Sequence, residues 1–416
     1  MSPSGAGGAK RRRLAGWAPW LPAAAWAYLV AGRGRYWSTA PRLPPADQPF
    51  QGPWPAVTVV VPARDEAALL PETLPALLGQ DYPGRARVVL VDDQSSDGTG
   101  ALAEALAQSH GGPLQLTVVR GKPRPPGWAG KPWAMAQGVA EALAGERPAE
   151  WLLFTDADIL HPPSSLRRLV GAAIAARRNS VSLMARLSAG TRWEQLLMPA
   201  FVYFFAQIYP FTWVNDVSRG TAAAAGGCTL VEAQALRRAG GIDGIASSTI
   251  DDMALAKALK ATGANIWLGL AGDDLDGAPR VESLRSYPRL ADAWEMVARS
   301  AYTQLGYSPL ALAGTVAALS TVYVAPPVLA TVGLSTRRPA LALAGLGAWT
   351  AMTATYLPMV RYYRAPVITA PALPFTSVVY MAMTLSSARR YYSGGVAWKG
   401  RPAGPSRPVS NPPGGH

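Results

Sequence analysis

The sequence predicts an α/β fold on a mixed, mostly parallel sheet flanked by helices, with membrane-associated additions at both ends. Three observations lead there. Residues 56–62 contain Val57, Val59, Val60 and Val61, an apolar run with no polar face, as a strand covered on both sides requires. Strand-like and helix-like segments then alternate, and acidic clusters fall where the strands end. Long uncharged stretches lie outside this alternating region, toward each terminus.

Taken from the N-terminus, Lys10, Arg11, Arg12 and Arg13 precede the uncharged, Ala- and Trp-rich stretch 14–31. Residues 1–38 are read as a membrane anchor, because Pro19, Pro22 and the tryptophans suit the headgroup boundary. A Pro-rich linker occupies 39–55. The catalytic-type domain is expected over 56–306, with strands at 56–62, 87–91, 114–119 and 151–154 and helices near 66–78, 99–107 and 133–143. Segment 196–213, apolar and aromatic but broken by Pro199 and Pro210, reads as an interfacial or core-packed helix, and 288–306 as an interfacial helix. Within 307–392, the apolar segments 308–333, 340–360 and 367–388 predict transmembrane helices, and the prolines in each, Pro326 and Pro327 in the first, predict kinks or a re-entrant path. The Gly- and Pro-rich tail, 393–416, is expected to be disordered.

Composition narrows the function classes. The chain has 416 residues, 49% hydrophobic and 16% charged, against ~25% charged in soluble domains, which points to a membrane. A net charge of +13 suits anionic headgroups and an anionic donor, and no nucleic-acid motif supports the other reading, so no nucleic-acid partner is expected. Cys228 is the single cysteine, which excludes a disulfide-stapled secreted domain.

Four acidic clusters carry the chemistry. Pro62, Arg64, Asp65 and Glu66 follow the first strand. Asp92 and Asp93 end the second, where paired acids can accept hydrogen bonds from a nucleobase and ribose or simply cap a turn. Asp156 and Asp158 flank one residue at the end of the 151–154 strand, a spacing that lets two carboxylates engage Mg2+ or Mn2+ already bound to a diphosphate. Asp251 and Asp252 open a helical run, where one of them can serve as general base and a helix N-terminus keeps it ionised. Lys131, before a helix, is either a diphosphate contact or a solvated lysine. Gly226, Gly227 and Cys228 give backbone freedom where an acceptor or donor approaches. His161, three residues past Asp158, does not read as a ligand.

The segments VVPARDE, VLVDDQSSDGT, GWAGKPWAMAQG, LLFTDADI, GGCTLV and IDDMALA, in this order, resemble the family 2 glycosyltransferases with a GT-A fold. Further likeness to the hopene-associated glycosyltransferases of bacteria comes from LMPAFVYFFAQIYPFTWVND, IWLGL and ARSAYTQLGYSPL. The resemblance implies Asp65 and Asp93 at the nucleoside, Lys131 at the diphosphate, Asp156 and Asp158 at the metal, and Asp252 as the base of an inverting transfer. It implies a UDP- or GDP-type sugar donor and a lipid-like, hopanoid-type acceptor. Where the family usually has Glu-Asp, this chain has Asp251-Asp252, which leaves the base open between them. Arg299 and Tyr302 stand where processive members and ceramide glucosyltransferases carry a Gln/Arg-x-x-Arg-Trp motif, and the Arg-Trp pair is absent. With Gly227 and Cys228 they are the acceptor-side candidates, and a single sugar addition is favoured over a processive polysaccharide synthase or a non-catalytic scaffold. Basic residues flank 14–31 on both sides, with Arg33, Arg35 and Arg42 after it, so loop charge does not choose an orientation. A multi-pass protein of the bacterial inner membrane with its domain in the cytosol, where nucleotide sugars are made, is the expectation.

Overall fold

The computed structural model describes residues 18–43, 50–272 and 281–393, together with two short strands at 396–398 and 401–403. The basic cluster at Lys10 to Arg13, residues 14–17 of the expected anchor, linker residues 44–49 and tail residues 404–416 lie outside the described residues.

β1 (Val57–Ala63) forms where valines crowd the sequence, because branching at Cβ suits a pleated strand and the apolar run suits burial on both faces. Val59 and Val61 pack with Leu70, Leu74 and Leu77 on one side, whereas Val60 packs with Met135 and Leu152 on the other. β2 (Ala86–Asp92) and β4 (Trp151–Thr155) lie parallel on either side of β1, and β3 (Gln115–Arg120) extends the sheet beyond β2. The order across the sheet is β3-β2-β1-β4-β7-β6-β8. Here β6 is Ser180–Met184, β7 is Cys228–Glu232 and β8 is Ile266–Leu270. Only β7 runs against its neighbours, so the sheet is mixed and mostly parallel. A two-residue pair, β5 (Ile159–Leu160) with β9 (Glu282–Ser283), sits beside the end of β4.

The helices Leu70–Leu78, Thr99–His110 and Gly130–Leu143 return the chain between the first strands. The first begins later than the spacing predicts, since Asp65 adopts a left-handed backbone (φ 50°) that delays helix entry. Helix Arg192–Ile208 opens with a Thr191/Glu194 capping box and continues through Pro199.

Beyond the sheet, Pro309–Ser335 (27 residues) and Pro339–Tyr362 (24 residues) are long and apolar enough to cross a membrane. At ~1.5 Å per residue each exceeds the ~30 Å hydrocarbon core. Their outward faces carry Leu310, Leu334 and Leu343 at 84%, 62% and 67% exposure, which separates them from core helices of a soluble domain. The third expected segment forms helix Leu373–Tyr392, but Thr376, Ser377, Thr384, Ser386 and Ser387 interrupt its apolar character and Arg389 and Arg390 end it. The N-terminal helix Leu21–Ala31 has 11 residues, about 16 Å, too short to span alone. Just before Pro326 and Pro327, where kinks or a re-entrant path are expected, the helix contains a five-residue π-turn, Ser320–Val324. Proline at 326 has no N–H for the carbonyl four residues earlier, and the Trp26 indole N–H donates to that Val322 oxygen instead (2.7 Å). In the tail, Val396–Trp398 and Arg401–Ala403 pair as antiparallel strands.

Candidate active site

β1 and β2 end in register, Ala63 opposite Asp92, and the Asp93 N–H donates to the Ala63 carbonyl at 2.8 Å. The Arg64 guanidinium donates to the Asp93 carbonyl (2.5 Å) and lies 3.8 Å from its carboxylate. Asp65 faces the turn after β2: its N–H donates to Ser95 Oγ (3.0 Å) and its carboxylate accepts from the Ser96 N–H (2.7 Å). Asp92 accepts from the Ser95 N–H at 2.9 Å. Asp65 and Asp92 therefore build the turn, while Pro62, Arg64, Glu66 and Asp93 line the adjoining cleft.

The cleft, about 870 Å³, is lined by residues from widely separated segments of the chain. Asp156 and Asp158 follow β4 and Lys131 opens helix Gly130–Leu143. Asp251 and Asp252 open helix Asp251–Ala261, and Gly226 and Gly227 precede the antiparallel β7, whose start lies at the same sheet edge. Lys131 Nζ sits 2.7 Å from Asp156 and 3.3 Å from Asp251. Asp252 accepts from two backbone donors, the Gly226 N–H (2.9 Å) and its neighbour Met253 (2.7 Å). A side chain at 226 would place a Cβ 3.2 Å from Lys131 Nζ and 3.3 Å from Asp252 Oδ2, so glycine keeps this approach open.

Arg285, which nothing in the sequence marks because its segment has no periodicity, ties the two edges together. It meets both Glu66 oxygens at 2.8 Å and Asp158 Oδ2 at 3.2 Å, and Ser283 Oγ donates to the same Asp158 oxygen (2.8 Å). The segment is held by Glu194, which is 1% exposed and accepts from the Tyr287 N–H (2.6 Å) and Ser286 Oγ (3.0 Å) while capping its own helix. Glu194→Ala is expected to cost about 2 kcal/mol, from lost capping and buried donors left unmet. It should appear as a melting temperature lower by roughly 5 °C in differential scanning fluorimetry.

The cleft is lined as well by the apolar Leu187, Phe201, Phe205 and Met296, together with the charged Asp292, Glu295, Arg299 and Arg390. Phe201 and Phe205 come from helix Arg192–Ile208, which packs against Pro339–Tyr362. Gly227 also lines the cleft; Cys228, 0% exposed, is buried behind it. Tyr302 is turned away, its hydroxyl donating to the Tyr307 carbonyl at 2.9 Å within a cluster that includes Tyr391 and Tyr392.

Electrostatics follow from this crowding. Burial, then the charge of Asp251, pushes the Asp252 carboxyl up to about 6, against the pull of Lys131 and the two backbone donors. Burial raises Asp156 as well, with Lys131 opposing. For Lys131, burial favours the neutral amine, but the carboxylates of Asp156 and Asp251 outweigh it and keep the ammonium charged. Arg285 is likewise held charged by Asp158 and Glu66, despite burial.

The residues fit a hard divalent cation. Asp156 and Asp158 offer carboxylate oxygens at a strand end, and a cationic group, Lys131 Nζ, already rests on Asp156. Among the described residues, no group of three or more His, Cys, Asp or Glu side chains is arranged to hold an ion. Such a site suits Mg2+ or Mn2+, which shares its shell with phosphate oxygens and water.

Residues 58–238 match the family model described as glycosyl transferase family 2. The beta-monoglucosyldiacylglycerol synthase of Synechocystis sp. is 34% identical over 119 residues, 28% of this chain and 23% of that protein. The probable glycosyltransferase YdaM of Bacillus subtilis is 30% identical over 116 residues, 28% of this chain and 27% of that protein. The chain thus matches about a quarter of the length of each of these relatives. A solved mannosyltransferase from Pyrobaculum calidifontis, PcManGT, in complex with GDP-Man and Mn2+, is 20% identical over 90% of this chain and 99% of its own, with a TM-score of 0.46. The stretch that matches the glycosyl transferase family 2 model, 58–238, carries most of the mixed, mostly parallel sheet and the acidic residues that follow β1, β2 and β4.

Proposed function

We propose that the protein is a membrane-bound inverting glycosyltransferase that moves a single sugar from a UDP- or GDP-type donor to a lipid-like acceptor, with a hopanoid or related isoprenoid as the preferred class. The observation that carries this reading is the mixed lining of the cleft. Carboxylates and Lys131 share it with apolar side chains, of which Phe201 and Phe205 come from a helix packed on an apolar span. Support for the acceptor class comes also from the Synechocystis relative, which by its name glucosylates diacylglycerol.

In this reading Asp93 and Arg64 face the nucleoside, with Asp65 and Asp92 holding the loop that presents them. Lys131 sits where a diphosphate oxygen would replace Asp156 as its partner. Asp156 and Asp158 would hold Mg2+ or Mn2+, which when bound offsets the negative charge growing on the leaving diphosphate. Asp252 takes the proton from the acceptor hydroxyl as that oxygen attacks the anomeric carbon, from the face opposite the leaving group. Asp251 stays paired with Lys131 and is left out of proton transfer. The apolar lining residues favour a greasy acceptor, which suits a domain on the cytosolic face of a bacterial inner membrane.

The full-length protein in detergent, mixed with UDP- and GDP-sugars and extracted membrane lipids, provides the test. Mass spectrometry should show one lipid gaining a single hexose, and chelation of divalent cations should lower turnover by about a hundredfold or more. A ladder of masses would establish a processive synthase instead. No product and no nucleotide binding would establish a scaffold.

A further inference from the structure

Behind the cleft, four polar side chains run in single file from the loop after helix Leu70–Leu78 to the glycine turn that meets Asp252. Gln80, Ser165, His161 and Thr155 are 1%, 5%, 1% and 1% exposed. Gln80 Nε2 donates to the Ala76 and Pro162 carbonyls (2.9 and 2.8 Å), which fixes its amide and aims Oε1 at Ser165 Oγ, 3.1 Å away. Ser165 Oγ is also 3.1 Å from His161 Nδ1, and His161 Nε2 is 2.8 Å from Thr155 Oγ1. Thr155 Oγ1 in turn lies 2.8 Å from the Gly227 carbonyl.

Four contacts share three protons, those of the Ser165 and Thr155 hydroxyls and of the neutral His161 ring, because the Gly227 carbonyl and Gln80 Oε1 only accept. With the ring proton on Nε2, Thr155 donates to Gly227, His161 to Thr155 and Ser165 to Nδ1, while Gln80 Oε1 accepts from the Leu166 N–H (2.9 Å). Burial pushes His161 down to about 4, so the ring is neutral and Nδ1 accepts. The turn this chain reaches contains adjacent glycines, which impose little backbone direction of their own. Ser182 and Thr229 hold it at Ala225, the former accepting from the Ala225 N–H (2.9 Å) and the latter donating to the Ala225 carbonyl (2.9 Å). Thr155 holds it at Gly227, and between these anchors the Gly226 N–H points at Asp252 Oδ2 (2.9 Å).

We propose that His161 is a positioning residue for the transfer: through Thr155 it fixes the Gly227 carbonyl, and so sets the direction from which the Gly226 N–H meets the Asp252 carboxylate. The proposal rests on the reading of Asp252 as the base. A histidine that merely satisfied its neighbours in the core would affect melting temperature and leave the base unchanged.

The test uses the full chain with His161→Phe, Thr155→Val and His161→Gln, and Asp252→Asn as control. His161→Phe and Thr155→Val should each lower kcat about tenfold with donor KM within about twofold. The acid limb of kcat/KM should move to higher pH, because a carboxylate that loses an N–H donor holds its proton more tightly. Asp251, Lys131 and Tyr209, the other titratable groups facing Asp252, are untouched in these variants. Cys228, beside Gly227 and buried with its thiol pushed up to about 12, gives a readout independent of activity. Its labelling by a maleimide under native conditions should accelerate about tenfold as the turn loosens. His161→Gln, whose amide N–H can replace Nε2–H, should restore both measurements. Wild-type kcat with a protected thiol in either variant, or a fall in kcat with the acid limb unmoved, would overturn the proposal. If His161→Phe does not fold, Thr155→Val, nearly equal in shape, decides alone. An active Asp252→Asn removes the base reading itself, whereas an inactive Asp252→Asn beside a wild-type Thr155→Val removes only the relay.

Discussion

Asp252→Asn is expected to lower kcat/KM about a thousandfold while nucleotide affinity changes by no more than about threefold. The amide keeps the size and one acceptor oxygen, so it can retain one of the two backbone hydrogen bonds from Gly226 and Met253, but it cannot take up a proton. On the proposed reading the nucleoside meets Arg64 and Asp93, whose contact with each other does not pass through Asp252, which is why binding should survive. In the wild type, activity should be full above pH about 6 and fall tenfold per unit below it, since a base with a carboxyl pushed up to about 6 is protonated there. Asp251→Asn separates the two neighbours. It removes the like charge that raises Asp252, so the acid limb should shift to lower pH with much of the activity retained. Initial rates across pH 4.5–8.5, with nucleotide binding by calorimetry, check both statements. An inactive Asp251→Asn beside an active Asp252→Asn would exchange their roles.

The parallel half of the sheet was legible because burial on both faces leaves a strong mark: β1, β2, β3 and β4 lie within a residue or two of the segments their apolar runs predict. Strand β6, by contrast, reads Ser-Val-Ser-Leu-Met, and its buried Ser182 finds its partners far along the chain, at Thr229 and Ala225. No local pattern announces such a strand. The same logic divides the site. Carboxylates next to strand ends declare themselves by position, whereas Arg285 and Glu194 matter through each other's segments and have no periodic context. Asp65 and Asp92 show the opposite case, acids at strand ends whose oxygens are spent on the serines of a turn. Spacing alone does not separate an acid that faces a cleft from one that caps a loop. Likewise Tyr302 falls on the expected segment, but its hydroxyl is consumed by Tyr307 and it faces away from the cleft.

Lys131→Met is expected to lower kcat/KM by two to three orders of magnitude, roughly, by removing the one ammonium shared by Asp156 and Asp251. Two consequences follow from the same loss. The donor diphosphate loses a cationic partner, so donor KM should rise. Lys131 also opposes the upward push on Asp252, so the acid limb should move to higher pH, the reverse of the Asp251→Asn shift. The stability of the variant carries a sign of its own. Without Lys131 the carboxyls of Asp156 and Asp252 rise further above their unfolded values, so the folded state takes up protons more readily than the unfolded one. The deficit in melting temperature against the wild type should therefore be largest at pH 8 and shrink as pH falls through the raised values. A deficit constant with pH would assign Lys131 to packing of its aliphatic stem, and an unchanged donor KM would remove it from the diphosphate. Both measurements are needed, because a lysine that only neutralised its neighbours would move the acid limb and the melting temperature yet leave donor KM where it was.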